Sequence, residues 1–149
     1  LVKSPLALSY FSQVPYALGD RACKFALVPA EKPEVPLVPN IFDRHYLRHA
    51  AERTLRQGEV LYHFCIQLQN PEKDSIEDST VAWTGPFTPV ADLTFLPIQE
   101  PLLESEGERL SFNPWRVLPA HQPLGWPGRL RRAAYAATYH WRKHRNGSQ

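Results

Sequence analysis

Residues 60–69 read Val-Leu-Tyr-His-Phe-Cys-Ile-Gln-Leu-Gln, and this stretch decides the fold class. Tyr62, Phe64, Ile66 and Leu68 alternate with His63, Cys65, Gln67 and Gln69. A two-residue side-chain period turns that pattern into one apolar and one polar face, which predicts a half-buried strand. Just upstream the period changes. Phe42, Tyr46, Ala50 and Leu55, with Leu47 and Ala51 beside them, recur at spacings near four and predict a helix over 41–57 with one apolar face. Asn40 stands where a cap accepts a backbone N–H, Asp43 follows three residues on, and Gly58 stops the helix. Before it, prolines at 29, 33, 36 and 39 predict an extended connector. Tyr10–Gln13 and Cys23–Val28 are short strand-like runs separated by a turn region holding Pro15 and Gly19-Asp20.

Downstream, Asn70-Pro71 breaks the central strand, and an acidic loop carries Glu72, Asp74, Glu77 and Asp78. Val90–Ile98 predicts another strand, which Pro97 limits to an edge or an end. Glu100–Glu108 reads as an acidic loop, and Leu110–Leu124 as an irregular, aromatic, proline-punctuated segment. Pro127-Gly128 opens a last helix, 129–145, rich in Ala and Arg and stopped by Asn146-Gly147. Strands, helix, strands and terminal helix make an α+β chain with an antiparallel sheet. Four strands with apolar faces need a larger sheet or barrel to cover them.

Length and composition narrow the class. With 149 residues, 43% hydrophobic and 21% charged, the chain suits one globular domain and is neither disordered nor fibrous. No run approaches the roughly 20 apolar residues of a membrane span. Leu1–Leu8 lacks the basic end and apolar core of a signal peptide. Cys23 and Cys65 show no ligand-like spacing, so a reducing, cytoplasmic setting is the expectation. The chain holds no Met and begins at Leu1, which together with the under-partnered sheet predicts a piece of a longer protein.

Charge is placed unevenly. Arg129, Arg131, Arg132, Arg142, Lys143 and Arg145 lie together with no Asp or Glu among them, so a body of −4 carries a tail of +6. Such a tail attracts an anion of some kind. Nucleic acid ranks last among the candidates, because only Tyr139 and Trp141 are interleaved as stacking residues. Within the last helix Arg131, Tyr135 and Arg142 are spaced by four and seven and share one stripe, with Thr138 and Tyr139 flanking it. Ala133, Ala134, Ala136 and Ala137 keep the shoulders low enough for a flat ligand. By spacing alone, the stripe is better described as a core tyrosine on an amphipathic helix with solvated arginines.

The string Arg131-x-x-x-Tyr135-x-x-Thr138-x-x-x-Arg142 resembles the proximal haem helix of the catalase superfamily. Leu110-Ser111-Phe112-Asn113-Pro114 is similar to that family's Phe-x-Pro segment. Val60–Gln69, Val81-Ala82-Trp83 and Thr88–Leu93 resemble consecutive barrel segments in the family's order. The opening Tyr10-Phe11-Ser12-Gln13-Val14-Pro15-Tyr16, with Gly19-Asp20 and Lys24, is similar to the small catalase-like haem proteins. So are Phe112-Asn113-Pro114-Trp115 and His121-x-Pro123-Leu124-Gly125.

The resemblance implies that residues 1–149 form the C-terminal half of one catalase-like haem domain, an incomplete antiparallel β-barrel. Residues 1–128 would supply barrel strands, the connector helix and the irregular loop, and 129–146 the proximal helix. It implies haem b as cofactor, with Tyr135 binding iron, Arg131 hydrogen-bonding the phenolate as its catalytic support, and Arg142 pairing with a propionate. Phe112 and Pro114 would pack at the proximal face, and hydrogen peroxide or an organic hydroperoxide would be the substrate. Ala137 and Ala133 replace the family's Asp and aromatic residue. The family's peroxide-handling His and Asn lie upstream of every matched segment. The chain alone is therefore expected to supply the proximal side and to turn over little peroxide, with a missing N-terminal half or a second chain closing the barrel. Two alternatives stay open: a non-catalytic half-domain that binds a partner protein, and allene-oxide-type rearrangement in an intact parent.

Other polar residues predict less. His45 and His49 are four apart but lie among Arg44, Arg48 and Glu52, which predicts a solvated surface. His63 shares a strand face with Cys65 and Gln67. Trp83, Trp115, Trp126 and Trp141 are expected as core or interface anchors.

Overall fold

A computed structural model describes residues 2–31, 42–100, 106–107 and 110–146. Among these residues five strands form one open antiparallel sheet: β1 (Tyr10–Phe11), β2 (Tyr16–Leu18), β3 (Arg21–Pro29), β4 (Val60–Leu68) and β5 (Thr88–Phe95). Two longer helices accompany them, α1 (Tyr46–Gln57) and α2 (Gly125–Asn146). The strand order is β1-β3-β4-β5, with β2 also pairing with β3. The α+β class and the antiparallel sheet stand as expected. By its contacts the chain falls into two compact units, Leu1–Phe11, Phe25–Ile66 and Phe87–Leu103 in the first, and Ser12–Lys24, Gln67–Pro86 and Glu104–Gln149 in the second.

In the first unit the core is built around Tyr62, which is 1% exposed. Its hydroxyl donates to the Leu6 carbonyl at 2.8 Å, and its ring meets Phe95 edge-on at 5.7 Å. Phe25 and Phe64 pack at 5.7 Å. Along β4 the simple alternation does not hold. The buried positions are Val60 and Tyr62, then Cys65 and Gln67. The change of buried face coincides with a register shift against β5 between Phe64 and Cys65, where Val90 of β5 is the extra, unpaired residue and the ladder is locally distorted. β5 runs Thr88–Phe95 rather than to Ile98, ending before the Pro97 ring, which has no N–H for the ladder. It is an edge strand, and all its residues are exposed.

α1 begins at Tyr46 rather than at 41. Asp43 is the reason: its Oδ1 accepts the His45 N–H at 2.9 Å, a local turn that competes with helix. Phe42, expected on the apolar face, is 91% exposed. Thr54 is buried there instead, its hydroxyl donating to the Ala50 carbonyl at 2.9 Å. Asn40 and most of the proline-rich connector lie outside the described residues, as do most of Glu100–Glu108 and the Gly147 stop.

In the second unit the expected turn region is itself a hairpin. β2 and β3 pair with Leu18 opposite Arg21, so Gly19-Asp20 is a two-residue turn, and Gly19 takes the positive φ of 63° such turns need. Val81–Trp83 is not a strand. Trp83 is anchored by its indole N–H, which donates to the Ser75 carbonyl at 2.8 Å, and by Lys24, 4.7 Å above the ring.

Asp74 organises the acidic loop. It is 2% exposed and accepts the Asn70 N–H at 2.8 Å and the Thr84 N–H at 3.0 Å. These donors, Asn70 first, outweigh burial and hold its carboxyl below the usual value. A depressed folded pKa contributes stability above the unfolded value, about 3.9, and loses it as pH falls through the folded one. Glu77, held down chiefly by Arg129, acts in the same direction. The melting temperature should therefore stay level from about pH 7 to 5 and fall below about pH 4. In Asp74→Asn the melting temperature should drop at neutral pH and the acid fall become shallower; parallel curves for the two proteins would refute this.

Candidate functional site

α2 starts one turn earlier than its sequence signals suggest, because its first turn is capped from far along the chain. Glu77 Oε2 accepts the Trp126 N–H at 2.7 Å, and its carboxylate pairs with Arg129 at 3.1 Å. A carboxylate at a helix N-terminus satisfies an orphan donor and opposes the positive end of the dipole. Pro127 is tolerated because it falls within that first turn. Gly125 has φ of 74°, and a Cβ there would run into the Ile76 carbonyl oxygen. Gly125→Ala should thus cost about 1–2 kcal/mol for the left-handed backbone, plus the steric shift. Urea unfolding followed by tryptophan fluorescence measures it; an unchanged midpoint would show that the start of α2 can move freely.

Backbone hydrogen bonds bring β2 beside the segment leading into α2. Ala17 N–H donates to Gln122 O at 2.9 Å, Gly19 N–H to Ala120 O at 3.1 Å, and Leu124 N–H to Pro15 O at 2.8 Å. That arrangement delivers Gln13 and Tyr16 to the helix. Arg131 Nη1 donates to Gln13 Oε1 at 2.9 Å, while Nη2 donates to the Tyr135 hydroxyl at 3.1 Å. A planar guanidinium gripped at both ends has little freedom to turn away. Burial is the main cause that raises the Tyr16 pKa, against the opposing Arg131 charge, so Tyr16 stays a neutral phenol.

Arg131, Tyr135 and Arg142 are half-buried, whereas Arg132–Ala134 and Ala136–Trp141 are exposed. The stripe read from spacing is therefore the covered face of α2. The cover is residues 110–116. Asn113 makes a turn there, its Oδ1 accepting the Trp115 N–H at 3.0 Å and its carbonyl the Arg116 N–H at 3.0 Å. The Trp115 indole N–H donates to Gly128 O at 3.2 Å, and Arg132 lies 4.8 Å above the ring, which ties the turn to the helix.

Two cavities result. One of about 500 Å³ is lined by Tyr16, Phe112, Pro114, Arg116, Arg131 and Tyr135 among others. The other, about 270 Å³, shares Ser111–Asn113 and Tyr135 with the first and adds Thr138, Tyr139 and Arg142. All five residues singled out by sequence thus line these two spaces. Gln13, Tyr16 and Arg116 were not singled out, since no local spacing links residues 13 or 16 to 131. Among the described residues no lining side chain is acidic. The arrangement can present an oxygen donor, a fixed cation and an apolar wall to a flat, negatively charged ligand.

The remaining polar clusters offer less. His49 Nδ1 meets Asp43 Oδ2 at 2.6 Å on an exposed surface, and His63 pairs with Asp92 across β4–β5 at 2.7 Å. Among the described residues no group of three or more His, Cys, Asp or Glu side chains is placed to hold a metal ion. Cys23 and Cys65 are free and buried, and burial pushes the Cys23 thiol up, away from thiolate chemistry. Trp126 and Trp141 are 53% and 61% exposed, so the core role falls to Trp83. Among the described residues no helix is long and apolar enough to cross a membrane. No family model matches the chain, and no curated protein matches it.

Proposed function

We propose that the covered face of α2 is the proximal side of a haem site, in a catalase-like protein that acts on hydrogen peroxide or an organic hydroperoxide. The observation that carries this reading is the 3.1 Å hydrogen bond from Arg131 to the Tyr135 hydroxyl beside the Phe112–Pro114 wall. The donor set fits. A tyrosine oxygen would be able to hold ferric haem iron, and an arginine donating to that oxygen would favour its charged form. Haem, when bound, supplies the redox chemistry of peroxide cleavage.

The chain's own residues do the holding. Tyr135 presents its oxygen, Arg131 donates a hydrogen bond to it, and Gln13 keeps Arg131 aimed. Arg142, seven residues and about 10 Å further along the helix, takes a propionate. Pro114 walls the same side, and Phe112, 80% exposed, offers its ring for a flat ligand to cover. Acid–base handling of the peroxide falls to groups outside residues 1–149, from an N-terminal half or a second chain that also closes the barrel. The same proximal side would serve rearrangement of a hydroperoxide to an allene oxide.

Titrating the chain with ferric haem and following the Soret region tests the reading. A saturable high-spin spectrum that requires Tyr135 supports it, and haem binding indifferent to Tyr135 sinks it. A second reading, a non-catalytic half-domain held by a partner protein, draws support from β5, an edge strand with Val90 and Leu93 52% and 41% exposed. No Tyr135-dependent spectrum, together with protection of β5 amides by a partner, would favour that second reading.

A further inference from the structure

Among the described residues Arg116, Arg131 and Arg142 line the two cavities, and they are not equivalent. Arg131 is occupied at both ends by Gln13 and Tyr135. Arg116 and Arg142 are placed differently. Arg116 sits with its guanidinium carbon 5.5 Å above the Tyr139 ring, and its Nη1 donates to the Ser111 carbonyl at 3.1 Å. That contact uses one of five donors and steadies the fork at the rim of the larger cavity. Arg142 lies three residues beyond Tyr139 on α2, which makes the two surface neighbours, and it lines the smaller cavity. Tyr139 therefore has Arg116 over its ring and Arg142 as a neighbour along the helix; Phe112 lines both cavities, and among the described residues neither lining holds an acidic side chain.

From this we infer that Arg116 is a second carboxylate-binding residue, paired with Arg142 across Tyr139. Together they select a flat apolar ligand carrying two carboxylates on one edge. The inference deepens the haem reading, on which it rests for the ligand's identity, but it concerns the carboxylates and not the metal. An arginine fork meets a carboxylate with two parallel hydrogen bonds, which a lysine or a lone charge does not reproduce.

The test uses metal-free protoporphyrin IX and its dimethyl ester, with binding to the whole chain followed by quenching of tryptophan fluorescence in one dilute-detergent buffer. The free diacid should bind roughly tenfold or more tightly than the diester. Arg116→Gln should weaken the diacid about tenfold and leave the diester unchanged, with circular dichroism unaltered. Arg145→Gln removes the same charge from a residue that stacks on Trp141 and lines neither cavity, and it should leave both affinities in place. Equal binding of diacid by Arg116→Gln and the parent chain overturns the inference. So does equal weakening by Arg145→Gln, which would make the effect one of general charge, and so does a failure of both porphyrins to bind. Because these ligands carry no iron, loss of the Tyr135-dependent haem spectrum would defeat the ligation reading while leaving an Arg116-dependent preference for the diacid intact.

Discussion

Tyr135→Phe is expected to abolish the ferric-haem spectrum of this chain while leaving its far-UV circular dichroism unchanged. The substitution removes one oxygen and keeps the ring. That oxygen is the atom to which Arg131 donates at 3.1 Å, and it is the donor that Tyr135 contributes to the cavity. Tyr135 is only half-buried, so losing one partly solvated hydrogen bond should cost about 1 kcal/mol or less of stability. The variant should therefore fold, and any spectral loss reports ligation and not unfolding. Arg131→Lys is the useful companion. A lysine ammonium has no planar fork to bridge Gln13 and Tyr135 at once, so its spectrum should weaken without vanishing. An unchanged Soret band in Tyr135→Phe would remove the iron ligand from the proposal altogether.

The largest loss of stability is expected from Tyr62→Ala in the first unit. Its ring is almost fully buried against Phe95, and its hydroxyl serves the carbonyls of Leu6 at 2.8 Å and Leu8 at 3.3 Å. Burial raises its pKa further, so it remains a donor throughout the accessible pH range. Deleting a buried aromatic side chain costs about 3–5 kcal/mol, because a cavity is left as well as lost burial. Tyr62→Phe isolates the hydroxyl and should cost about 1–2 kcal/mol, since two carbonyls lose their partner. Urea unfolding with hydrogen exchange at β4 and β5 amides would measure both, against a total stability of about 5–15 kcal/mol for a domain of this size. A Tyr62→Ala chain with an unmoved midpoint would mean that the ring is not the keystone of this core.

The haem proposal is legible in sequence to the extent that its residues share one helix. Arg131, Tyr135 and Arg142 fall on one stripe through the pitch of an α-helix alone, and Phe112 and Pro114 lie in one short segment before it. Gln13 and Tyr16 reach the same place only because β2 hydrogen-bonds to residues 120–124. Arg116 becomes relevant only through its position over Tyr139. Glu77 caps α2 from 49 residues away, so no capping pattern near Trp126 announces it.

The fold divides along the same line. Local periodicity by itself determined that residues 60–68 are a strand, that α1 ends at Gln57, and that the last helix carries a Tyr–Arg stripe. Each depends on chain neighbours within two turns, and those are visible in the string. Tertiary structure alone decided the capping of α2 by Glu77, the delivery of Gln13 and Tyr16 to that helix, and the change of buried face between Phe64 and Cys65. Those outcomes turn on which distant donor or strand edge is within reach, and a backbone N–H takes the acceptor that packing brings to it.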